Sequence, residues 1–160
     1  MEKKSAGILL FKKLNNEYHF LLVHPGGPLW AKRDLQSWSI PKGEFEDDED
    51  PLLAAKREFR EETGFTVTGD FIELDHVRQR SGKIVFPWAV EGDIDISKIR
   101  SNDFELEWPP KSGEKKYYPE IDRGEWFPFE VAKEKIIQGQ LSVLEQLNRM
   151  LNEKDSVSNT

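Results

Sequence analysis

Asp50-Pro51 at one end and Gly64 at the other leave room for one helix of about thirteen residues, and that helix has to carry Glu58, Glu61 and Glu62. Asp50 can accept from the free N–H groups of a first turn, and Pro51 suits the first helical position because its missing donor is not needed there. Gly64 stands where a left-handed residue usually ends a helix. With Glu58 at 0° and about 100° per residue, Glu61 falls near −60° and Glu62 near +40°, so three carboxylates share one face within roughly 6 Å of rise. Like charges three and four residues apart cost a helix a few tenths of a kcal/mol per pair, so stability alone does not select this face. Oxygen-only ligands of this kind favour a hard cation, Mg²⁺ or Mn²⁺, in a site that keeps water and binds a substrate phosphate. A merely solvated acidic face is the alternative. Leu52, Phe59 and Thr63 form the core-facing stripe. Ala54 and Ala55 lie beside the glutamates, small enough to admit a neighbouring loop. Arg57 is within reach of Glu61.

The charge is local. The chain has 160 residues and a net charge of −7, and the stretch from Gly43 to Glu62 alone holds nine acids and three bases. This balance argues against a protein that coats duplex nucleic acid. Absence of cysteine excludes a disulfide framework, a thiolate zinc site and a thiol nucleophile, so a hydrophobic core has to hold the fold. The early apolar run Ala6–Phe11 is short and lacks a cleavage site after it, and no run approaches the roughly 20 apolar residues of a membrane span. The expectation is a soluble cytoplasmic protein with no membrane contact and no implied protein partner.

Ser5–Phe11 and Tyr18–His24 read as a β-hairpin whose loop, containing Asn15-Asn16, is longer than two residues. A breaker-rich loop spans His24–Leu35, Trp38–Ile40 is a short strand ended by Pro41, and Gly43 opens an acidic loop. Strand character returns at Phe65–Val67, Phe71–Val77, Lys83–Val90 and Glu125–Phe129, and Val131–Met150 reads as helical with a break at Gly139. Gly92–Asp122 reads as mostly loop with Phe104–Trp108 extended. One domain over 1–151 and a polar, disordered tail over 152–160 complete the prediction.

Gly43, five residues, Glu49, seven residues, then Arg57-Glu58-Phe59-Arg60-Glu61-Glu62-Thr63-Gly64-Phe65 meets all nine fixed positions of the pattern G-x5-E-x7-R-E-U-x-E-E-x-G-U, U being bulky and apolar. This resembles the Nudix box of the Nudix hydrolases, and the flanking strands and C-terminal helices extend the resemblance over about residues 5–150. The resemblance implies an α/β/α sandwich with a mixed, curved sheet and hydrolysis of a nucleoside diphosphate linked to another moiety. It also implies that Glu58, Glu61 and Glu62 hold Mg²⁺ together with the Lys42 carbonyl, that Arg57 orients a carboxylate, and that Glu49 supports the loop or an additional metal. Gly43 would let the loop turn close to the metal. A general base would come from Glu58, Glu62 or a later loop.

Trp38-Ser39-Ile40-Pro41-Lys42-Gly43, with the Pro-Lys-Gly entry to the box, is similar to the dinucleoside polyphosphate and diphosphoinositol polyphosphate branches. Ser5–Phe11 and Phe20–His24 are similar to the asymmetric diadenosine tetraphosphate hydrolases. Those enzymes also share an acid six residues before a Trp-Phe pair, here Glu120 before Trp126-Phe127, which makes Glu120 a further ligand or base candidate. Glu105 and Glu107 are alternatives. The tyrosine common 16–18 residues after the box in these hydrolases is absent, since Arg80, Ser81 and Gly82 occupy the window. Substrate contacts are expected from Lys42, Gly43, a basic clamp of Arg78, Arg80 and Lys83, and a stacking pair Tyr117 and Tyr118. His24, His76, Trp30 and Trp38 read as structural. Diadenosine tetraphosphate is therefore the leading substrate. RNA 5′ ends, diphosphoinositol polyphosphates, and NTPs or nucleotide sugars are the other enzymatic readings, and a nucleotide-sensing module is the non-catalytic one.

Overall fold

In the computed structural model, which describes residues 2–158, a mixed seven-stranded sheet lies between two helical layers. Strand β1 (Lys4–Leu14) is its spine, antiparallel to β2 (Glu17–Pro25) on one side and parallel to β6 (Ile84–Glu91) on the other. Successive side chains of a strand point to opposite faces. Ala6, Ile8 and Leu10 thus pack under α1 (Pro51–Thr63), while Leu9 and Phe11 pack under the C-terminal helices, and a strand buried on both faces needs the unbroken apolar run seen here. The β1–β2 connection is tighter than the sequence suggested. Asn15 (φ 53°) and Asn16 (φ 66°) alone make the turn, both left-handed, as a two-residue hairpin requires.

The short strand β3 (Lys42–Glu44) pairs with β1 at Ser5–Gly7, and Ser39 bridges to Val23. The expected strand at Trp38–Ile40 is thus reduced to bridges, and the pairing strand lies after Pro41, through Gly43. Gln140, fully buried, locks this segment: its Oε1 accepts from the Ile40 N–H at 3.0 Å, and its Nε2 donates to Ser39 Oγ at 3.1 Å. Replacing Gln140 by Leu leaves the Ile40 N–H without that acceptor, and urea denaturation should register a loss of about 1–3 kcal/mol.

Residues 65–67 form no strand, although Phe65 and Val67 pack against the α1-side core. The run expected over Phe71–Val77 splits into β4 (Ile72–Glu73) and β5 (Val77–Arg78), each paired with β6. The stretch Gly92–Asp122 is more ordered than its breakers suggested. A 3₁₀ turn (Ile96–Lys98) precedes a separate hairpin of β7 (Asp103–Glu107) and β8 (Lys115–Pro119), and β9 (Ile121–Pro128) then closes on β2. Helix α2 (Phe129–Lys135) is separated from α3 (Leu141–Ser158) by a 3₁₀ turn containing Gly139, at the predicted break. The predicted disordered tail is helical as far as Ser158. Asp155 accounts for part of that, accepting from Lys13 Nζ at 3.0 Å and from the Tyr18 hydroxyl at 2.9 Å; residues 159–160 lie outside the described chain. No described helix is long and apolar enough to cross a membrane.

Candidate active site

Helix α1 is framed as its ends required. Asp50 caps the Leu53 N–H at 3.0 Å, and Gly64, at φ 81°, donates to the Arg60 carbonyl at 2.7 Å. Buried Ala54, Ala55, Phe59 and Thr63 hold it against β1, β3 and β6, which leaves the glutamates at the edge where β3 and the loop before β9 arrive.

Arg57 organises that edge. Its Nε and Nη2 each donate to one oxygen of Glu49 at 3.0 Å, a bidentate grip, and its Nη1 donates to Glu58 Oε1 at 2.7 Å. The predicted Arg57–Glu61 contact exists but is the weakest of the set, at 3.4 and 3.5 Å. Charge-assisted bonds of this kind fix geometry, and this set raises the guanidinium further above its usual range, the Glu49 bond first. Gly43 faces Glu58 so closely that a Cβ there would overlap the carboxylate. Glu62 Oε1 accepts the Lys42 N–H at 3.0 Å, tying the helix to β3.

The carboxylates oppose one another. Burial pushes Glu62 up to about 8, against the pull of the Lys42 N–H and ammonium and with added repulsion from Glu58 and Glu120. Burial and then Glu61 raise Glu58, and burial and then Glu61 raise Glu120. Glu120 is anchored through its backbone, its N–H donating to Asn102 and its carbonyl accepting from Gly26 at 2.9 Å. Glu120, from the loop before β9, thus stands close enough to the α1 glutamates for their charges to act on one another. Among the described residues, no three carboxylate or imidazole groups already stand as a coordination cluster. Glu58 is turned to Arg57 and Glu62 to the Lys42 N–H. The donor chemistry nevertheless fits a hard divalent cation: all oxygen, desolvated and mutually repelling.

Lys42 is lowered, first by burial and then by Lys83, although Glu62 opposes the shift. Lys42 stands on β3, separated from β6 by β1, and Lys83 reaches β3 from the start of β6. Lys83 pairs with Glu44 at 3.2 Å, and Arg78 is held by Glu2 at 2.6 Å along the same cleft. Arg80 belongs elsewhere, in a cavity with Trp30, Gln79 and Gln138, so the three bases do not form one clamp. Tyr117 and Tyr118 also separate. Alternation along β8 sends Tyr117 outward to Glu105, 69% exposed, and puts Tyr118 beside Phe104, ring centroids 6.2 Å apart. Glu105 and Glu107 are bound to Tyr117 and to the Gly113 N–H. His24 is structural as expected, buried between Asp122 at 3.0 Å and the Arg33 carbonyl at 2.6 Å. His76 rests on Phe86, and Trp38 is buried between His24 and Phe127.

The NUDIX domain family model matches residues 1–147. The chain belongs to that family. The asymmetrical bis(5′-nucleosyl)-tetraphosphatase of Mus musculus is 30% identical over 103 residues, 57% of this chain and 66% of the mouse protein. An RNA pyrophosphohydrolase of Agrobacterium fabrum is 28% identical over 155 residues, 79% of this chain and 85% of that protein. The fold matches a C. elegans Ap4A hydrolase binary complex with a TM-score of 0.65 at 21% identity, over 94% of this chain and 98% of the other. The α/β/α architecture read from the Nudix box is therefore the observed one, and the carboxylate edge of α1 is that box in three dimensions.

Proposed function

We propose that this Nudix hydrolase is a divalent-metal-dependent pyrophosphohydrolase whose preferred substrate is a dinucleoside polyphosphate, diadenosine tetraphosphate giving ATP and AMP. What supports the reading is the acidic face of α1, with Glu120 in electrostatic reach of Glu61 and Glu62, an all-oxygen donor set close to Lys42 and Lys83. Glu58, Glu61 and Glu62, with the Lys42 carbonyl, would hold Mg²⁺ or Mn²⁺. When bound, the metal neutralises a diphosphate and lowers the pKa of an attacking water. The chain's own groups do the rest. Arg57 holds Glu58 in place and keeps Glu49 from competing for the cation. Glu58, Glu62 or Glu120 accepts the water's proton. Lys42 and Lys83 face the phosphates beyond the bond that breaks, which favours a long polyphosphate over a short one.

A panel assay with Mg²⁺ and chromatographic separation of products tests this. Diadenosine tetraphosphate should be cleaved fastest, to ATP plus AMP. Preferred release of pyrophosphate from triphosphorylated RNA would instead favour the chemistry of the bacterial relative. Lys42→Ala should lower kcat/KM for diadenosine tetraphosphate roughly tenfold while sparing ADP-ribose. Equal losses on both substrates would remove Lys42 from the polyphosphate reading.

A further inference from the structure

Beside Glu120 the chain builds a second feature that the acidic centre does not use. The loop after β2 and the inner face of β7 enclose a cavity of about 230 Å³, lined by Gly27, Leu29, Trp30, Phe104, Leu106 and Glu120 among others. Pockets that enclose a whole drug-sized ligand run to roughly 300–1,000 Å³, so this one has room for one ring system and not for a nucleotide.

Its walls are set by the fold. Phe104 and Leu106 share the inner face of β7, two residues apart, while Asp103, Glu105 and Glu107 turn out to solvent. Phe104 lies against the backbone of Gly27, where a Cβ would stand 2.9 Å from the ring and where φ is +92°, so only glycine suits the position. Trp30 is fixed by two successive turns, its N–H donating to the Gly27 carbonyl and its own carbonyl accepting from Arg33 at 2.9 Å. The Arg33 guanidinium stacks over the indole at 5.5 Å, and the Arg33 carbonyl is in turn held by buried His24. Trp30 is nonetheless 38% exposed and Leu29 61%, which leaves an apolar rim open to solvent at the mouth of the cavity. Two aromatic walls, a glycine floor and an open rim suit a flat heteroaromatic ring, since stacking is strong for aromatic bases and indifferent to their identity. The position suits it too, because Glu120 closes the cavity on the side of the acidic centre, so a ring seated here brings the phosphates attached to it toward α1.

We infer that this cavity between Trp30 and Phe104 seats a nucleobase of the substrate, an inference that rests on the pyrophosphohydrolase reading. It makes the site tolerant of the base and selective for the presence of one.

The test is calorimetric binding of AMP and of ribose 5-phosphate to the full chain with Mg²⁺. Trp30→Ala and Phe104→Ala should each weaken AMP at least roughly tenfold and change ribose 5-phosphate less than twofold. Trp30→Phe should restore most of the affinity. In turnover, KM for diadenosine tetraphosphate should rise with kcat little changed, the mark of lost uniform binding. Should Phe104→Ala lower the melting temperature, Leu29→Glu at the exposed rim serves in its place and should also weaken AMP. Unchanged AMP binding in these variants overturns the inference. So does an effect of Trp30 without one of Phe104, because Trp30 also borders the cavity of about 950 Å³ that holds Gln79 and Arg80. Parallel loss of both ligands overturns it as well. Failure of the pyrophosphohydrolase reading looks different: the unaltered chain binds AMP and turns over nothing in the panel.

Discussion

Glu62→Gln should abolish most turnover and leave the metal-free chain more stable than the unaltered one. The amide keeps the oxygen that accepts the Lys42 N–H, so the link between α1 and β3 survives. What disappears is an acid that burial and the neighbouring Glu58 and Glu120 hold up to about 8, so that it must take up a proton on folding at neutral pH, and the amide removes that cost. A bound metal contributes several kcal/mol of charge stabilisation, and each 1.36 kcal/mol is tenfold in rate, so losing one anionic ligand should cost roughly 10³ in kcat. Glu58→Gln should behave similarly in turnover, but it also weakens the 2.7 Å ion pair with Arg57 and should gain less stability.

The pH dependence of that stability has a definite sign. Glu62 is held up to about 8, above its ordinary 4.5, so between those values the folded chain binds more protons than the unfolded one. Unfolding free energy then falls as pH rises through this window. Glu58 and Glu120 are raised as well and push in the same direction. Chelator-treated protein should therefore melt lower at pH 8 than at pH 5.5, and Glu62→Gln should flatten the slope without removing it. An identical slope in both proteins would mean that Glu62 is not the buried acid described. Added Mg²⁺ should raise the melting temperature of the unaltered chain more at pH 8 than at pH 5.5, because the ligands must lose protons to bind it.

How much of this was legible in the sequence depends on the range of the interaction involved. The α1 frame was local: Asp50, Pro51 and Gly64 act within one turn of where they stand, and a wheel placed the glutamates correctly. The double-sided burial of β1 showed in its unbroken apolar run. Glu49 and Arg57 are eight residues apart, and nothing in helical periodicity reveals that the loop folds back to give Arg57 its bidentate partner. The β7–β8 hairpin was hidden because the turn residues between Leu106 and Lys115 read as breakers in a loop, while Phe104-Glu105-Leu106 is too short an alternation to demand a partner. Tyr117 and Tyr118 were grouped by adjacency, which a strand undoes by sending them to opposite faces. The same parity puts Phe104, not Tyr117, on the cavity side.

Gly43→Ala is the second substitution with a large expected effect, and it tests the geometry of the centre without touching a charge. Its Cα lies against the Glu58 carboxylate, so a methyl group there needs either the carboxylate or β3 to move. Glu58 is held by Arg57, which is itself clamped on Glu49, and β3 is held by three residue pairs with β1. Neither side yields without breaking ion pairs or ladder bonds. Either movement separates Glu58 from the Lys42 loop, so kcat should fall roughly 10²-fold, as expected when positioned groups lose about an ångström of register. Stability should drop by about 1–3 kcal/mol, the usual cost of overpacking. Gly113→Ala is the control. It meets no atom within 4 Å, and its positive φ of 79° makes it a strained site as well, in the β7–β8 turn. It should therefore cost stability while leaving kcat within about twofold, because it is the approach of Glu58, and not backbone strain as such, that couples Gly43 to the chemistry.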